Sequence, residues 1–265
     1  MTDLSNIFFG KKVVQKAYLN NALIYESKGW QTLPSTCTEV WTKSYEKVDN
    51  SGFRSIAKDD LDDLYIGIDQ FLCKIDSDGK LIWKTNLLAD KGSFKSSVID
   101  SIILSKNYIY CAINYFEDSS NNWFYYLAKV DSNGNLINIA TINSVMSNSN
   151  YGAKMVKDDL NIYAVSSNCL YKFDLDFKLI DYVTMSDSAR CLTTNNGPYV
   201  FVGTYDYGIR FEKSNLKNCT NLSRNSSSYY TDLIVMDNIG NLYLGSASEV
   251  ALLKYLSLIH ISEPT

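Results

Sequence analysis

The chain has 265 residues, 46% hydrophobic and 20% charged, which is ample for one large domain with a small appendage. A net charge of −4 without any basic block argues against nucleic-acid binding, which needs clustered lysine and arginine to neutralise phosphate. No apolar run is long enough to span a bilayer, and the N-terminus lacks the apolar core of a signal peptide.

Residues 1–32 differ from everything after them. Three short strands are predicted over 6–26, with turns at Gly10-Lys11 and Asn20-Asn21. Asparagine tolerates the positive φ that a two-residue hairpin turn demands. Ile7, Gly10, Val14, Lys16, Tyr18, Leu19, Leu23, Ile24, Tyr25 and Glu26 together make up a pattern. It resembles a short N-terminal module of many tail and baseplate proteins of bacteriophages and prophages. The resemblance covers roughly a tenth of the chain and departs from the family at Asn20-Asn21, where Gly-Asp or Gly-Asn is commoner. It implies a virion protein, made in the bacterial cytoplasm and attached to other tail proteins through this module. The plainer reading is a β-hairpin appendage that covers a sheet edge.

Residues 27–37, with Gly29 and Pro34, read as a linker. Then 40–45 (Val-Trp-Thr-Lys-Ser-Tyr) echoes Ile82-Trp83-Lys84, as a lone outer strand would. In a closed ring such a strand joins the last blade and removes an open edge.

From residue 54 onward one unit recurs. Its clearest copy places strands at 54–57, 64–68, 71–75 and 80–85, with Lys74-Ile75-Asp76 leading into a Ser-Asp-Gly turn. The marker lysines Lys74, Lys129, Lys172, Lys213 and Lys254 stand 55, 43, 41 and 41 residues apart. Four strands every 40–45 residues or so is the signature of a propeller blade. The expected fold is therefore all-β: a β-propeller of four-stranded blades over 33–255, with about five blades present in an incomplete ring. The long first interval predicts a loop insertion at 114–123.

The pattern of Tyr65-Ile66-Gly67 followed by Lys74-Ile75-Asp76, Gly79 and Leu81-Ile82-Trp83 resembles quinoprotein-like (PQQ-like) propeller repeats over about residues 40–255. Later copies lose the glycine, at Phe177, or the Leu-Ile pair, after Leu216. The metal-binding and cofactor-stacking residues of the quinone enzymes have no counterpart that can be placed, so the resemblance implies a fold without cofactor or metal. Residues 256–265 resemble translated sequencing adapter, which implies a native ring of six to eight blades.

Few residues suit catalysis. The one histidine, His260, lies in that tail, so no Ser-His-Asp triad is available and no enzyme activity is expected. Asp76-Ser77-Asp78-Gly79 and Asp131-Ser132-Asn133-Gly134 open like calcium loops, but Leu87 and Ile142 occupy the twelfth position, where an EF-hand needs Glu. They read instead as turns with a left-handed glycine. Asp59, Asp60, Asp62, Asp63, Asp158 and Asp159 read as solvated loop tips, with paired carboxylates for glycoside hydrolysis as the alternative. Six cysteines without C-x-x-C spacing read as free thiols.

Aromatic residues in loops give the one hint of binding. Tyr115, Phe116 and Trp123 fall in the insertion, and Tyr205, Asp206 and Tyr207 between two strands; Tyr229-Tyr230 follow a polar loop. Rings beside Asp and Asn suit stacking on sugars. The expected role is a tail-associated disc that binds a host-surface glycan or protein, without nucleic acid and without membrane insertion. The alternatives are an enzyme acting on cell-surface polysaccharide and a cellular protein-interaction scaffold.

Overall fold

The computed structural model describes 54–91, 96–117, 122–142, 153–205, 207–222, 233–237 and 241–245 in full, and the backbone of the strands elsewhere. The chain divides into two compact units, Met1–Thr42 and Lys43–Thr265.

Among the described residues the first unit holds four strands where the sequence suggested three. β1 (Phe8–Phe9) pairs with β2 (Lys12–Val13), and β3 (Lys16–Leu19) pairs with β4 (Ala22–Glu26). In the second pair Leu19 faces Ala22; the expected turns at Gly10-Lys11 and Asn20-Asn21 lie outside the described residues.

The second unit is a run of antiparallel sheets with the arrangement of a β-propeller. Blade 1 consists of β5 (Phe53–Lys58), β6 (Leu64–Ile68), β7 (Phe71–Ile75) and β8 (Leu81–Asn86). Blade 2 consists of β9 (Phe94–Leu104), β10 (Tyr108–Glu117), β11 (Asn122–Asp131) and β12 (Leu136–Met146). Blade 3 consists of β13 (Lys154–Lys157), β14 (Asn161–Ser166), β15 (Cys169–Asp174) and β16 (Leu179–Thr184). Blade 4 consists of β17 (Ala189–Thr194), β18 (Tyr199–Thr204), β19 (Gly208–Glu212) and β20 (Asn215–Leu222). β21 (Leu233–Met236), β22 (Leu242–Ser246) and β23 (Ala251–Tyr255) form the fifth sheet. Strands within each sheet neighbour one another in chain order, and the first strand of each sheet packs on the first strand of the next. The sheets do not close into a ring. Residues 40–45 and 256–265 lie outside the described residues.

The core lies between blades. Tyr65, Leu72 and Leu87 of blade 1 meet Ile99, Cys111 and Val130 of blade 2, and Tyr110, Leu127 and Ile142 of blade 2 meet Met155, Ile162 and Phe173 of blade 3. Alternation explains this: each central strand is apolar on both faces because each face meets a neighbouring sheet. Gly67 marks the closest approach, where a Cβ would lie 2.6 Å from Ile99 Cβ.

The turns between third and fourth strands form the lower edge of the disc and repeat closely. Asp76, Asp131 and Asp174 each accept, on Oδ1, the backbone N–H groups two and four residues ahead. The left-handed position holds Gly79 (φ 77°), Gly134 (φ 89°) and, where the glycine is lost, Phe177 (φ 65°). These are turns, as read, and no cluster able to hold a metal occurs among the described residues.

Three expectations are corrected. Residues 114–117 and 122–123 are strand rather than loop: Asn114 pairs with Tyr125 and Glu117 with Asn122, so these residues lengthen both strands of a hairpin, while 118–121 lie outside the described residues. The marker lysines face Tyr65, Tyr110 and Tyr163 across the ladder, but in blade 4 Arg210 faces Phe201, so Lys213 is no counterpart and sits in the next turn. Nor are Asp59, Asp63 and Asp158 solvated tips. Asp63 pairs with Lys74 at 2.9 Å, and Asp59 accepts from the N–H groups of Leu61 and Asp63. Buried Asp158 pairs with Lys213 of the next blade at 2.7 Å. Burial works against its charge, but Lys213 and two backbone N–H groups outweigh burial and hold the carboxyl below the usual range.

Candidate functional site

The opposite, upper edge carries the turns between second and third strands and the beginnings of the first strands. Here the blades differ. β10 has 10 residues against 6 in β14, so blade 2 rises about 13 Å above its neighbour at the usual rise per strand residue.

A β-bulge recurs at the start of the first strands. Phe53 faces Ile68 and Ser55 faces Gly67, leaving Arg54 as the extra residue. Ile99 faces Ile113 and Ser101 faces Ala112, leaving Asp100. Ala189 faces Thr204 and Cys191 faces Gly203, leaving Arg190. A bulge re-aims its extra side chain out of the ladder, a device common beside functional sites. Blades 1, 2 and 4 thus present a charged residue at the same place on the inner strand. Blade 3 has no bulge there, but supplies Lys154 at the first rung of its ladder.

Asp100 is the centre of this group. Its side chain is 1% exposed, while Arg54 and Lys154 on either side are 54% and 38% exposed. Asn114, the first residue of the blade 2 extension, donates through Nδ2 to Asp100 Oδ2 and accepts from the Ala153 N–H at 2.9 Å. Lys154 Nζ also donates to the Asp100 carbonyl at 3.3 Å. The other carboxylate oxygen, Oδ1, accepts no hydrogen bond among the described residues. Arg54 Nη1 and Lys154 Nζ stand off from it at 3.7 Å and 3.8 Å, beyond normal hydrogen-bond length. Burial pushes the Asp100 carboxyl above its ordinary pKa; the Lys154 and Arg54 charges and the Asn114 amide oppose that without cancelling it.

The aromatic residues singled out in the sequence divide. Phe116 and Trp123 face each other across the tall hairpin, centroids 5.3 Å apart and edge to face, both half-buried. Tyr205 is exposed in the corresponding turn of blade 4, with the Arg190 guanidinium 5.9 Å from its ring, and the Tyr207 hydroxyl is 2.7 Å from Ser186 Oγ. Asp206 and Tyr229-Tyr230 lie outside the described residues. Tyr115 is no surface residue: it is buried, stacked on Phe124 and Tyr126 at 5.2 Å and 5.4 Å, with its hydroxyl on that of Tyr126. Alternation is the cause, since Asn114 and Phe116 take one face of β10 and leave Tyr115 on the blade 1 side. Sequence reasoning missed Arg54, Asp100, Asn114, Lys154 and Arg190. A signal was present, for Arg54-Ser55-Ile56 and Asp100-Ser101-Ile102 repeat a charged residue before Ser-Ile at matched positions.

No family model matches the chain, and no curated protein sequence matches it. Solved structures similar in fold include the following two. A protein of unknown function from Bacteroides caccae is 12% identical with a TM-score of 0.54, over 78% of this chain and 74% of that one. A chain in the crystal structure of BBS1N in complex with ARL6DN is 11% identical with a TM-score of 0.55, over 83% and 68%. At such identity the likeness speaks for the fold alone.

Proposed function

We propose that this is a tail-associated structural protein of a bacteriophage or prophage, whose propeller is a binding disc for a glycan on the host surface. The observation that carries the reading is that Met1–Thr42 forms a compact unit of its own, whose hairpin of β3 and β4 falls within the stretch that resembles the tail module. In this reading the small unit docks on other tail proteins. The disc offers its upper edge, where Phe116, Trp123, Tyr205 and Tyr207 lie near charged inner-strand residues. Several copies on one particle would add avidity to a weak single contact. Deleting residues 1–30 tests the attachment: the variant should keep its propeller melting transition and vanish from purified tails. Normal incorporation would overturn it.

A second reading, an enzyme acting on surface polysaccharide, has one observation in its favour: a buried acid with a raised pKa in a polar setting is a frequent mark of acid catalysis. Glycoside hydrolysis ordinarily needs a second carboxylate about 5–10 Å away. The groups the structure sets against Asp100 are Arg54, Lys154 and Asn114, while Asp63 and Asp158 are engaged by lysines. Release of reducing sugar from host cell walls, lost in Asp100→Asn, would favour this reading over binding alone.

A further inference from the structure

We infer that Arg54 and Lys154, on the inner strands of blades 1 and 3, form a site for a single oxyanion, the carboxylate or phosphodiester of an acidic glycan, and that Asp100 beneath them competes with that anion until it takes up a proton. The site stands on its own geometry; the polymer that carries the anion rests on the glycan-binding reading.

Ion pairs of two kinds occur in the propeller. Lys74, Lys129 and Lys213 meet Asp63, Asp176 and Asp158 at 2.6–2.9 Å, and the three lysine side chains are only 7–15% exposed. Those cations belong to the fold. Arg54 and Lys154 stand 3.7–3.8 Å from Asp100 Oδ1 and remain substantially exposed. Among the described residues no hydrogen bond engages the Arg54 guanidinium, and Lys154 donates only to the Asp100 carbonyl. Both lie within reach of one oxygen atom, so the two cations are close neighbours. A guanidinium offers five N–H donors and an ammonium three, so most remain for a ligand. Asp100 closes the site from below: Oδ1 is buried and Oδ2 is held by Asn114. A ligand therefore meets the outer sides of the cations and never touches Asp100.

Charge selects the ligand. With Asp100 ionised the group carries one net positive charge, and with Asp100 protonated it carries two. One oxyanion matches either state through charge-assisted bonds from the guanidinium fork and the ammonium. A cationic ligand is repelled. The net charge of −4 disfavours a densely charged polyanion and leaves a polymer with isolated acid groups.

The groups that face Asp100 are Arg54 from β5, Asn114 from β10 and Lys154 from β13. Other charged or titratable groups of the strands packed around it are engaged or distant. Lys58 pairs with Asp62, the Tyr65 hydroxyl of β6 donates to Asp59, and the Tyr115 hydroxyl meets that of Tyr126. Lys157 ends β13, and Glu117 ends β10. Burial raises the Asp100 pKa, so mild acid protonates it, loosens its hold on both cations and tightens anion binding.

Titration calorimetry of the full chain with methyl glucuronide, glycerophosphoglycerol and methyl glucoside, at about pH 5 and about pH 8, tests this, since the first two keep one charge throughout and the third has none. Wild type should bind a charged probe about fivefold tighter at the lower pH, and the two charged probes separate carboxylate from phosphodiester. Arg54→Gln and Lys154→Gln should each bind about tenfold more weakly, with Lys217→Gln on the outer strand of blade 4 unchanged. Asp100→Asn should bind more tightly than wild type at the higher pH and lose the pH dependence. Circular dichroism melts verify folding. Undiminished binding by Arg54→Gln and Lys154→Gln, or weaker binding by Asp100→Asn at the higher pH, would overturn the site. If neutral saccharides bind and neither charged probe does, the site is overturned while the glycan reading survives. If the charged probes bind as described but no acidic oligosaccharide does, the site stands and the glycan reading fails.

Discussion

On the lower edge of the disc, blades 1 to 3 repeat one another: an Asp caps the turn through its own backbone N–H groups, and a left-handed residue closes it. Lysines then tie blade to blade, with Lys129 reaching Asp176 at 2.6 Å, Lys172 the Lys213 carbonyl at 2.7 Å, and Lys213 Asp158 at 2.7 Å. On the upper edge the described residues of blades 1, 2 and 4 share the bulge, and little else is common to them. The residue it displays is Arg54, Asp100 or Arg190, and the turns range from Asp69-Gln70 to the tall blade 2 hairpin. One edge holds the sheets together and the other is left to vary, which is the division expected of a rigid scaffold that carries a binding surface.

That contrast can be broken from its strong side first. Lys213→Met leaves Asp158 buried without its cation, at a cost of about 3–5 kcal/mol in urea melts. The pair also sets an acid limb. Asp158 is held below its unfolded value, so its contribution is full above about pH 4 and is lost as pH falls through the depressed pKa; Lys213→Met should flatten that limb.

Phe177→Gly restores the glycine of the repeat and should still destabilise. Relief of the left-handed strain is worth about 1–2 kcal/mol, but deleting a buried phenylalanine costs about 3–5 kcal/mol, and its ring contact with Tyr110 at 5.9 Å goes with it. A net loss of about 1–4 kcal/mol follows, again read by urea. Gly67→Ala forces a methyl against Ile99 and should cost about 1–3 kcal/mol by the same measurement.

The smallest effect belongs to the upper edge and has the opposite sign. Burial raises the folded pKa of Asp100 above its unfolded value, so its ionisation favours unfolding. That penalty is complete above the raised pKa and absent below the unfolded one. Asp100→Asn should therefore melt at or slightly above the wild-type temperature at pH 7, and the difference should close as pH falls toward 4. A clearly lower melting temperature at pH 7 would mean that Asp100 is a structural keystone and that its ionised form is no net burden on the fold.

The repeat made the lower edge legible. Lys-Ile-Asp followed by a small polar turn and glycine specifies a local geometry, and local geometry can be read from adjacent residues. Even Phe177 could be recognised as standing where the glycine should be. The upper edge was harder for a definite reason: a bulge is a relation between two strands, and Arg54 or Asp100 becomes special only when its partner strand fails to supply a matching residue. The blade 2 hairpin was masked by its polar stretch, whose Asp, Ser and Asn residues read as a loop although the strands persist on either side. Lys213 was assigned to the wrong rung because blade 4 replaces the longer turn by Lys213-Ser214, which keeps a lysine near the expected spacing while moving the register. The partners of Asp158 and Asp176 lie on neighbouring blades, beyond the reach of any pattern within one unit.

Amide hydrogen exchange of the full chain, with and without a host-surface oligosaccharide that it binds, bears most directly on the claim that the two edges divide the work. Added protection is predicted at 97–101, 113–117 and 122–126, with the turns at 76–80, 131–135 and 174–178 unchanged. Protection confined to those lower turns, or spread evenly over both edges, would contradict it.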